Sequence, residues 1–105
     1  MTRVYLSGKI TGLTEEEYTR NFDRAEQHYR SAGFEVLNPV KISKALLKHK
    51  PDATYEDFMT ADLKALQTCD CIALIAGWED SPGAAREKAE AERLGLEIMQ
   101  LRFYS

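Results

Sequence analysis

Residues 71–95 read CIALIAGWEDSPGAAREKAEAERLG, and their pattern predicts the fold class. Its first six residues are all apolar, which is typical of one fully buried strand. Gly77 ends the run, and after a polar loop Ser81 and Pro82 supply the cap and the first residue of a helix that ends at Gly95. A buried strand, a loop and a helix in this order predict one unit of a parallel α/β sheet, because parallel strands need crossover connections.

The rest of the chain repeats this alternation of short apolar runs and longer segments with helical periodicity. Strands are expected at residues 3–7, 34–37, 71–76 and 96–101. Thr14 and Glu17 form a capping box that opens a helix ending at Gly33, and Thr54 with Asp57 gives a second N-terminal signal. Between them, Asn38-Pro39 stops the second strand, and residues 40–50 are only weakly helical.

The predicted fold is a single α/β domain over residues 1–105, with a small doubly wound, flavodoxin- or Rossmann-like parallel sheet. Right-handed crossovers and short connections favour the strand order 2-1-3-4, with helices on both faces. Ligands bind such sheets where the strand order reverses, here between strands one and three, so loops 7–12 and 77–83 are the first candidates for a site. A phosphoacceptor receiver domain has a similar strand order, but it needs acidic residues at the ends of strands one and three. This chain has Ser7-Gly8 and Ala76-Gly77 there, so a receiver domain is not expected.

Charge and composition exclude several function classes. The formal charge is −3, from 14 Lys and Arg against 17 Asp and Glu spread along the chain, which argues against a sequence-independent nucleic-acid binder. No apolar run approaches the length of a membrane span and no signal-peptide pattern is present, so we expect a cytoplasmic protein without a membrane partner. Cys69 and Cys71 are one residue apart, and His28 and His49 lack suitably spaced partners, so neither a metal nor a disulfide is expected.

Two carboxylates interrupt the apolar stripes of their helices. Asp62 shares a helix face with Phe58 and Met59, within a stripe that also includes Tyr55 and Leu66 as expected core residues. Glu87 shares a face with apolar residues one turn inside the helix that starts at the predicted cleft. A carboxylate directed toward a core is costly unless it is paired or used, so each is either half of a buried structural interaction or part of a functional site.

The start of that last helix is a candidate anion site. Ser81, Pro82 and Gly83 leave backbone N–H groups with little side-chain cover, which suits a phosphate. Lys9 lies in the loop across the predicted cleft and is a candidate for a positive charge. The alternatives are that Ser81 only caps the helix and that Lys9 is only solvated.

These motifs, taken in order, resemble the nucleoside 2-deoxyribosyltransferase superfamily, and most of all its short phage and bacterial branch of uncharacterised function. The resemblance rests on Tyr5-Leu6-Ser7-Gly8, Asn38-Pro39, Asp62-Leu63, and the run from Gly77-Trp78-Glu79 through Ser81-Pro82-Gly83-Ala84 to Glu87. It implies that Glu87 is the nucleophile at C1′ of a nucleoside sugar, that Asp62 assists at the base, and that Tyr5 orients the glutamate.

The resemblance also implies a substrate class. Ser81 stands where the transferases carry an acidic residue, as in the related 2′-deoxynucleoside 5′-phosphate N-hydrolases, which hold a 5′-phosphate with that serine and the adjacent backbone. Gly8, Lys9, Ser81 and Gly83 are therefore the expected substrate- or phosphate-binding residues, with Lys9 serving in place of an arginine that the hydrolases carry at Thr11.

The leading hypothesis is cleavage or transfer at the N-glycosidic bond of a nucleoside or nucleoside 5′-monophosphate, without a cofactor. A homodimer is expected, because pairing would stabilise so small a domain and complete the cleft. One alternative is a nucleotide-binding protein of the same fold that does not turn its ligand over. Another is an interaction module in which Trp78 and Phe103-Tyr104 form an exposed contact surface.

Overall fold

The computed structural model describes residues 1–101 and contains a four-stranded, entirely parallel sheet. The strands are β1 (Arg3–Ser7), β2 (Glu35–Leu37), β3 (Cys71–Ile75) and β4 (Glu97–Leu101). Their spatial order is β2-β1-β3-β4, with Tyr5 opposite Leu37 on one side and Ile72 on the other. The predicted fold class and strand order are therefore confirmed.

Four α-helices connect these strands, and local capping explains where they begin. They are α1 (Glu15–Ser31), α2 (Pro39–His49), α3 (Tyr55–Leu66) and α4 (Pro82–Leu94). The expected capping boxes of Thr14 with Glu17 and of Thr54 with Asp57 are both formed. Gly95 ends α4 with φ of 75°, a left-handed conformation that glycine adopts without a steric penalty. No helix within residues 1–101 is long and apolar enough to cross a membrane.

The second connection is more regular than its sequence predicts. Residues 39–49 form a complete helix, because Asn38 Oδ1 accepts a hydrogen bond from the Val40 amide at 3.0 Å and Pro39 occupies the first helical position. The loop expected after β3 contains a short 3₁₀ helix, Trp78–Asp80.

Trp78 does not form the exposed surface expected of an interaction module. Its side chain is half-buried against the apolar cluster that faces α3 and α4, and Lys88 Nζ lies 5.6 Å from its ring centroid. The other residues of that expectation, Phe103 and Tyr104, lie outside the described residues. The structure therefore contradicts the part of the hypothesis that concerns Trp78.

The sheet has an apolar cluster on each face, and the alternation of side chains along the strands explains both. Val4 and Leu6 of β1 point toward Phe22 and Ala25 of α1. The residue between them, Tyr5, points to the opposite face, where Leu66 of α3 and Ala91 of α4 pack against β3. The face that carries Tyr5 thus brings β1, α3 and α4 together at the point where the strand order reverses.

A buried glutamate ties α1 to the start of α2. Glu26 accepts hydrogen bonds from Arg30 Nε at 2.7 Å, Asn38 Nδ2 at 3.0 Å and Lys41 Nζ at 3.0 Å. Burial alone would raise the pKa of Glu26, but these three donors outweigh it and lower the pKa below the ordinary value of 4.5. The ionised form of Glu26 therefore stabilises the fold and fixes the residue that caps α2.

We expect Glu26→Ala to lower the free energy of unfolding at pH 7 by about 2 kcal/mol, because it leaves Asn38 without its partner. Since the pKa of Glu26 is lowered on folding, its contribution is complete above pH 4.5 and is lost as the pH falls through the folded-state value. Urea denaturation at pH 7 and pH 3 measures this difference. A penalty that is equal at both pH values would contradict an electrostatic origin.

Candidate active site

Two hydroxyl groups of β1 hold the carboxylate of Glu87. Tyr5 Oη donates a hydrogen bond to Glu87 Oε2, and Ser7 Oγ donates one to Glu87 Oε1, both at 2.7 Å. Tyr5 and Ser7 are two residues apart on one strand, so their side chains lie on the same face of the sheet. All three residues are buried. The carboxylate is thus fixed through both of its oxygens.

Opposing effects act on the pKa of the Glu87 carboxyl group. Burial raises the pKa of its carboxyl group, while the hydrogen bonds from Ser7 and Tyr5 oppose this rise, and the net shift is upward. Burial also raises the pKa of Tyr5, and the nearby carboxylates of Glu87 and Asp62 raise it further, so Tyr5 stays protonated and donates. The two hydroxyl donors are neutral, and the charge of Arg86 on the same helix lowers the pKa of Glu87 less than the two hydrogen bonds do.

Asp62 is the second buried acid of this region. It lies on α3 beside Met59 and is 8% exposed. Its Oδ1 atom has no hydrogen-bond partner within residues 1–101, and no ion pair among these residues involves it. The described residues therefore do not provide the buried structural interaction that was the alternative for this position.

Burial and the charge of Glu87 explain the titration of Asp62. They raise the pKa of its carboxyl group from 3.8 to about 8, burial being the larger cause. Asp62 therefore carries a proton near neutral pH, unlike an ordinary aspartate. A buried, protonated acid without a partner is able to donate that proton to a ligand.

Both acids line one cavity of about 310 Å³. Its apolar wall comes from α1, α2, α3 and the loop after β1, and it includes Ile10, Tyr18, Phe22, Leu47, Phe58 and Met59. Thr11, Ser43 and Ser81 add hydroxyl groups. An apolar cavity with a few converging polar groups is typical of a small-molecule site. Tyr5 and Ser7 are not among the lining residues, and they reach the cavity only through Glu87.

Tyr55 lies at the mouth of this cavity rather than in the core, where its spacing had placed it. Its side chain is 53% exposed, so that expectation is wrong. The reason is its position as the first residue of α3, directly after the cap Thr54. A side chain added at Gly83 would place its Cβ 3.4 Å from Tyr55 Oη, so the missing side chain of Gly83 leaves room at this mouth.

The start of α4 offers a ligand fewer backbone donors than the sequence indicates. Ser81 Oγ accepts from the Ala84 amide at 3.1 Å, and the Ser81 carbonyl accepts from the Ala85 amide at 3.0 Å. Pro82 has no N–H. Within the described residues, the Gly83 amide is therefore the donor of this first turn that remains for a ligand, together with the Ser81 hydroxyl proton.

The glycine and the lysine of the first loop occupy different places. Gly8 lines the cavity with Glu87, and a Cβ there would lie 3.1 Å from Ile75 Cβ, so a side chain at this position would push Ile75 by a few tenths of an ångström. Lys9 instead lines a neighbouring cavity of about 210 Å³ with Asn21 and Asp80. Among residues 1–101, no Lys, Arg or His lines the cavity that contains the two acids.

Sequence reasoning placed Ser7 at the start of a candidate loop but gave it no role in the site. The signal was its spacing of two from Tyr5 on a strand, which places both hydroxyls on one face.

In the part of the chain that the structure describes, no three His, Cys, Asp or Glu side chains are grouped so that they could hold a metal ion.

Comparisons with known proteins agree with this fold. A family model described as "Domain of unknown function (DUF4406)" matches residues 2–100. No curated protein matches the sequence.

Two solved structures share the fold. The CMP N-glycosidase BcmB of Clostridium botulinum is 20% identical, with a TM-score of 0.62 over 96% of this chain and 69% of that one. A 2-deoxyribosyltransferase of the psychrotolerant bacterium Bacillus psychrosaccharolyticus is 24% identical, with a TM-score of 0.69 over 94% of this chain and 71% of that one.

Proposed function

The chain belongs to the DUF4406 family, and from its site we propose that it cleaves or transfers the N-glycosidic bond of a nucleoside or nucleoside 5′-monophosphate. The observation that carries this proposal is the pair of acids in one cavity: Glu87, held by two hydroxyls, and Asp62, which is buried and whose Oδ1 has no hydrogen-bond partner within residues 1–101. The two structural neighbours, an N-glycosidase and a deoxyribosyltransferase, support the same reaction class.

Glu87 acts as the nucleophile in this proposal. Its carboxylate oxygen attacks C1′ of the sugar, and the bond between C1′ and the base nitrogen breaks, leaving the sugar esterified to Glu87. The transition state carries positive charge at C1′, and the negative charge of Glu87 stabilises it. Tyr5 keeps the carboxylate in place from behind, as a positioning residue.

Asp62 supplies the proton that the departing base needs. Its pKa of about 8 keeps it protonated near neutral pH, so it donates to the base as the C1′–N bond breaks. The resulting Asp62 carboxylate then accepts a proton from water. That water attacks C1′, frees Glu87 and gives the sugar its new hydroxyl group, whereas attack by a second base gives transfer instead of hydrolysis.

A 5′-phosphate would be bound at the start of α4. The Gly83 amide and the Ser81 hydroxyl are the donors there, and Gly8 lines the same cavity. Lys9 would have to turn from the neighbouring cavity to contribute its charge.

The proposal includes a homodimer, in which a second copy covers the exposed side chains of Leu47 and Tyr55 at the cavity mouth.

Incubation of the protein with single ribo- and deoxyribonucleosides and with their 5′-monophosphates tests the function. We expect free base to appear, because the proposal assigns Glu87 as the nucleophile and Asp62 as the proton donor, and chromatography quantifies the base. Addition of a second free base distinguishes transfer from hydrolysis. If no substrate releases base, but one of the nucleotides raises the melting temperature, the protein is a nucleotide-binding protein and the enzymatic proposal is wrong.

A further inference from the structure

Ser7 is a buried polar residue whose hydroxyl group contacts Glu87. Ser7 is 0% exposed, and its hydroxyl is directed at the one oxygen of Glu87 that Tyr5 leaves free. The two donors are Tyr5 and Ser7 of the same strand, and each takes a different oxygen of the carboxylate. Because a carboxylate has about four acceptor positions, this arrangement leaves roughly one on each oxygen for a ligand.

We propose that Ser7 is a second positioning residue of this site, which holds Glu87 Oε1 by a hydrogen bond, favours the ionised form of the carboxylate and keeps it aimed into the cavity. The inference rests on the proposed role of Glu87 as nucleophile. Ser7 does not line the cavity, so its effect on a substrate passes through Glu87 alone.

The chemistry explains why neutral hydroxyls suit this position better than a cation. A buried carboxylate needs donors to remain ionised. A lysine or arginine in contact with it would supply them, but it would also repel the positive charge that develops at C1′ in a glycosidic displacement. Two hydroxyls stabilise the ionised form without that repulsion, and no ion pair within residues 1–101 involves Glu87.

The groups that face Glu87 come from three elements. Tyr5 and Ser7 belong to β1, and Asp62 belongs to α3. Arg86 precedes Glu87 on α4. Arg86 is paired with Glu56 at 2.9 Å, on the exposed side of the helix. Loss of the Ser7 hydroxyl therefore removes one of the two groups that donate a hydrogen bond to Glu87. Neither Asp62 nor Arg86 is placed to donate in its stead.

The test follows the titration of Glu87 itself. Protein labelled with ¹³C at the glutamate carboxyls gives the midpoint for Glu87 by NMR, with Glu87→Gln assigning the signal. We expect Ser7→Ala to move that midpoint up by about one pH unit, because a hydrogen bond to a charged group is lost. Ser7→Thr keeps the hydroxyl and should restore it, and Ser31→Ala, an exposed serine at the end of α1, should leave it unchanged.

Activity gives a second, separate readout. In Ser7→Ala we expect the acidic limb of the kcat profile to move up by the same amount, with KM unchanged, whereas a merely structural role would lower activity equally at every pH. An unchanged Glu87 midpoint in a folded Ser7→Ala protein overturns the inference. If the unaltered protein releases no base, the proposed function fails, and the NMR titration still decides whether Ser7 controls Glu87.

Discussion

Replacement of Glu87 by glutamine is expected to abolish base release, lowering kcat/KM by about 10⁴-fold, because an amide cannot form the covalent bond to C1′. The fold should survive, since glutamine has nearly the same shape and still presents an oxygen to the hydroxyl of Tyr5 or Ser7. Release of free base from the best substrate of the panel measures the effect.

Glu92→Gln is the matched control for this substitution. Glu92 lies on the same helix, but it is exposed and pairs with Lys88. It should retain full turnover, while Glu87→Gln loses it with an unchanged circular dichroism spectrum. Full turnover by a folded Glu87→Gln variant would remove Glu87 from the chemistry.

Replacement of Asp62 by asparagine is expected to make the protein more stable and less active. Folding raises the pKa of Asp62 to about 8, so between pH 3.8 and pH 8 the folded state binds a proton that the unfolded state releases. The free energy of unfolding of the unaltered protein therefore falls as the pH rises through this window. Asparagine is neutral throughout and avoids this loss.

At pH 7 the difference in favour of Asp62→Asn should be about 4 kcal/mol, and it should nearly disappear near pH 4. Urea denaturation at pH 4, 7 and 8.5 gives the measurement. Asp52→Asn, at an exposed turn, is the control and should change stability little at any pH. An Asp62→Asn protein that is less stable by the same amount at every pH would show that Asp62 has a structural partner.

The same variant should release base about 10²-fold more slowly, because it has no proton to donate to the departing base. A substitution that raises stability while it lowers activity identifies a residue kept for function at a cost to the fold. Glu26→Ala is expected to lower stability instead. The two buried acids differ because Glu26 accepts three hydrogen bonds, whereas Oδ1 of Asp62 accepts none among the described residues.

The order of the helices and strands and the burial of Asp62 and Glu87 can be predicted from the sequence alone. Strand alternation, the capping boxes and the glycine that ends α4 act over a few residues, so they are readable from local pattern and predict the parallel sheet in the order 2-1-3-4. The helical period likewise predicted that Asp62 and Glu87 point inward, because a face is fixed by spacing of three and four. Both acids are buried in the structure.

Which side chains contact each other in the site depends on the tertiary structure. Ser7 and Glu87 are 80 residues apart, and Tyr5 and Glu87 are 82 apart, so their contacts depend on how β1 pairs with β3 and on where α4 packs. The direction of Lys9 depends on the course of a loop, which has no periodicity to read, and the exposure of Tyr55 depends on the end of α3 lying at the cavity mouth. Local pattern fixes the face of an element, whereas the partners on that face follow from packing across the whole chain.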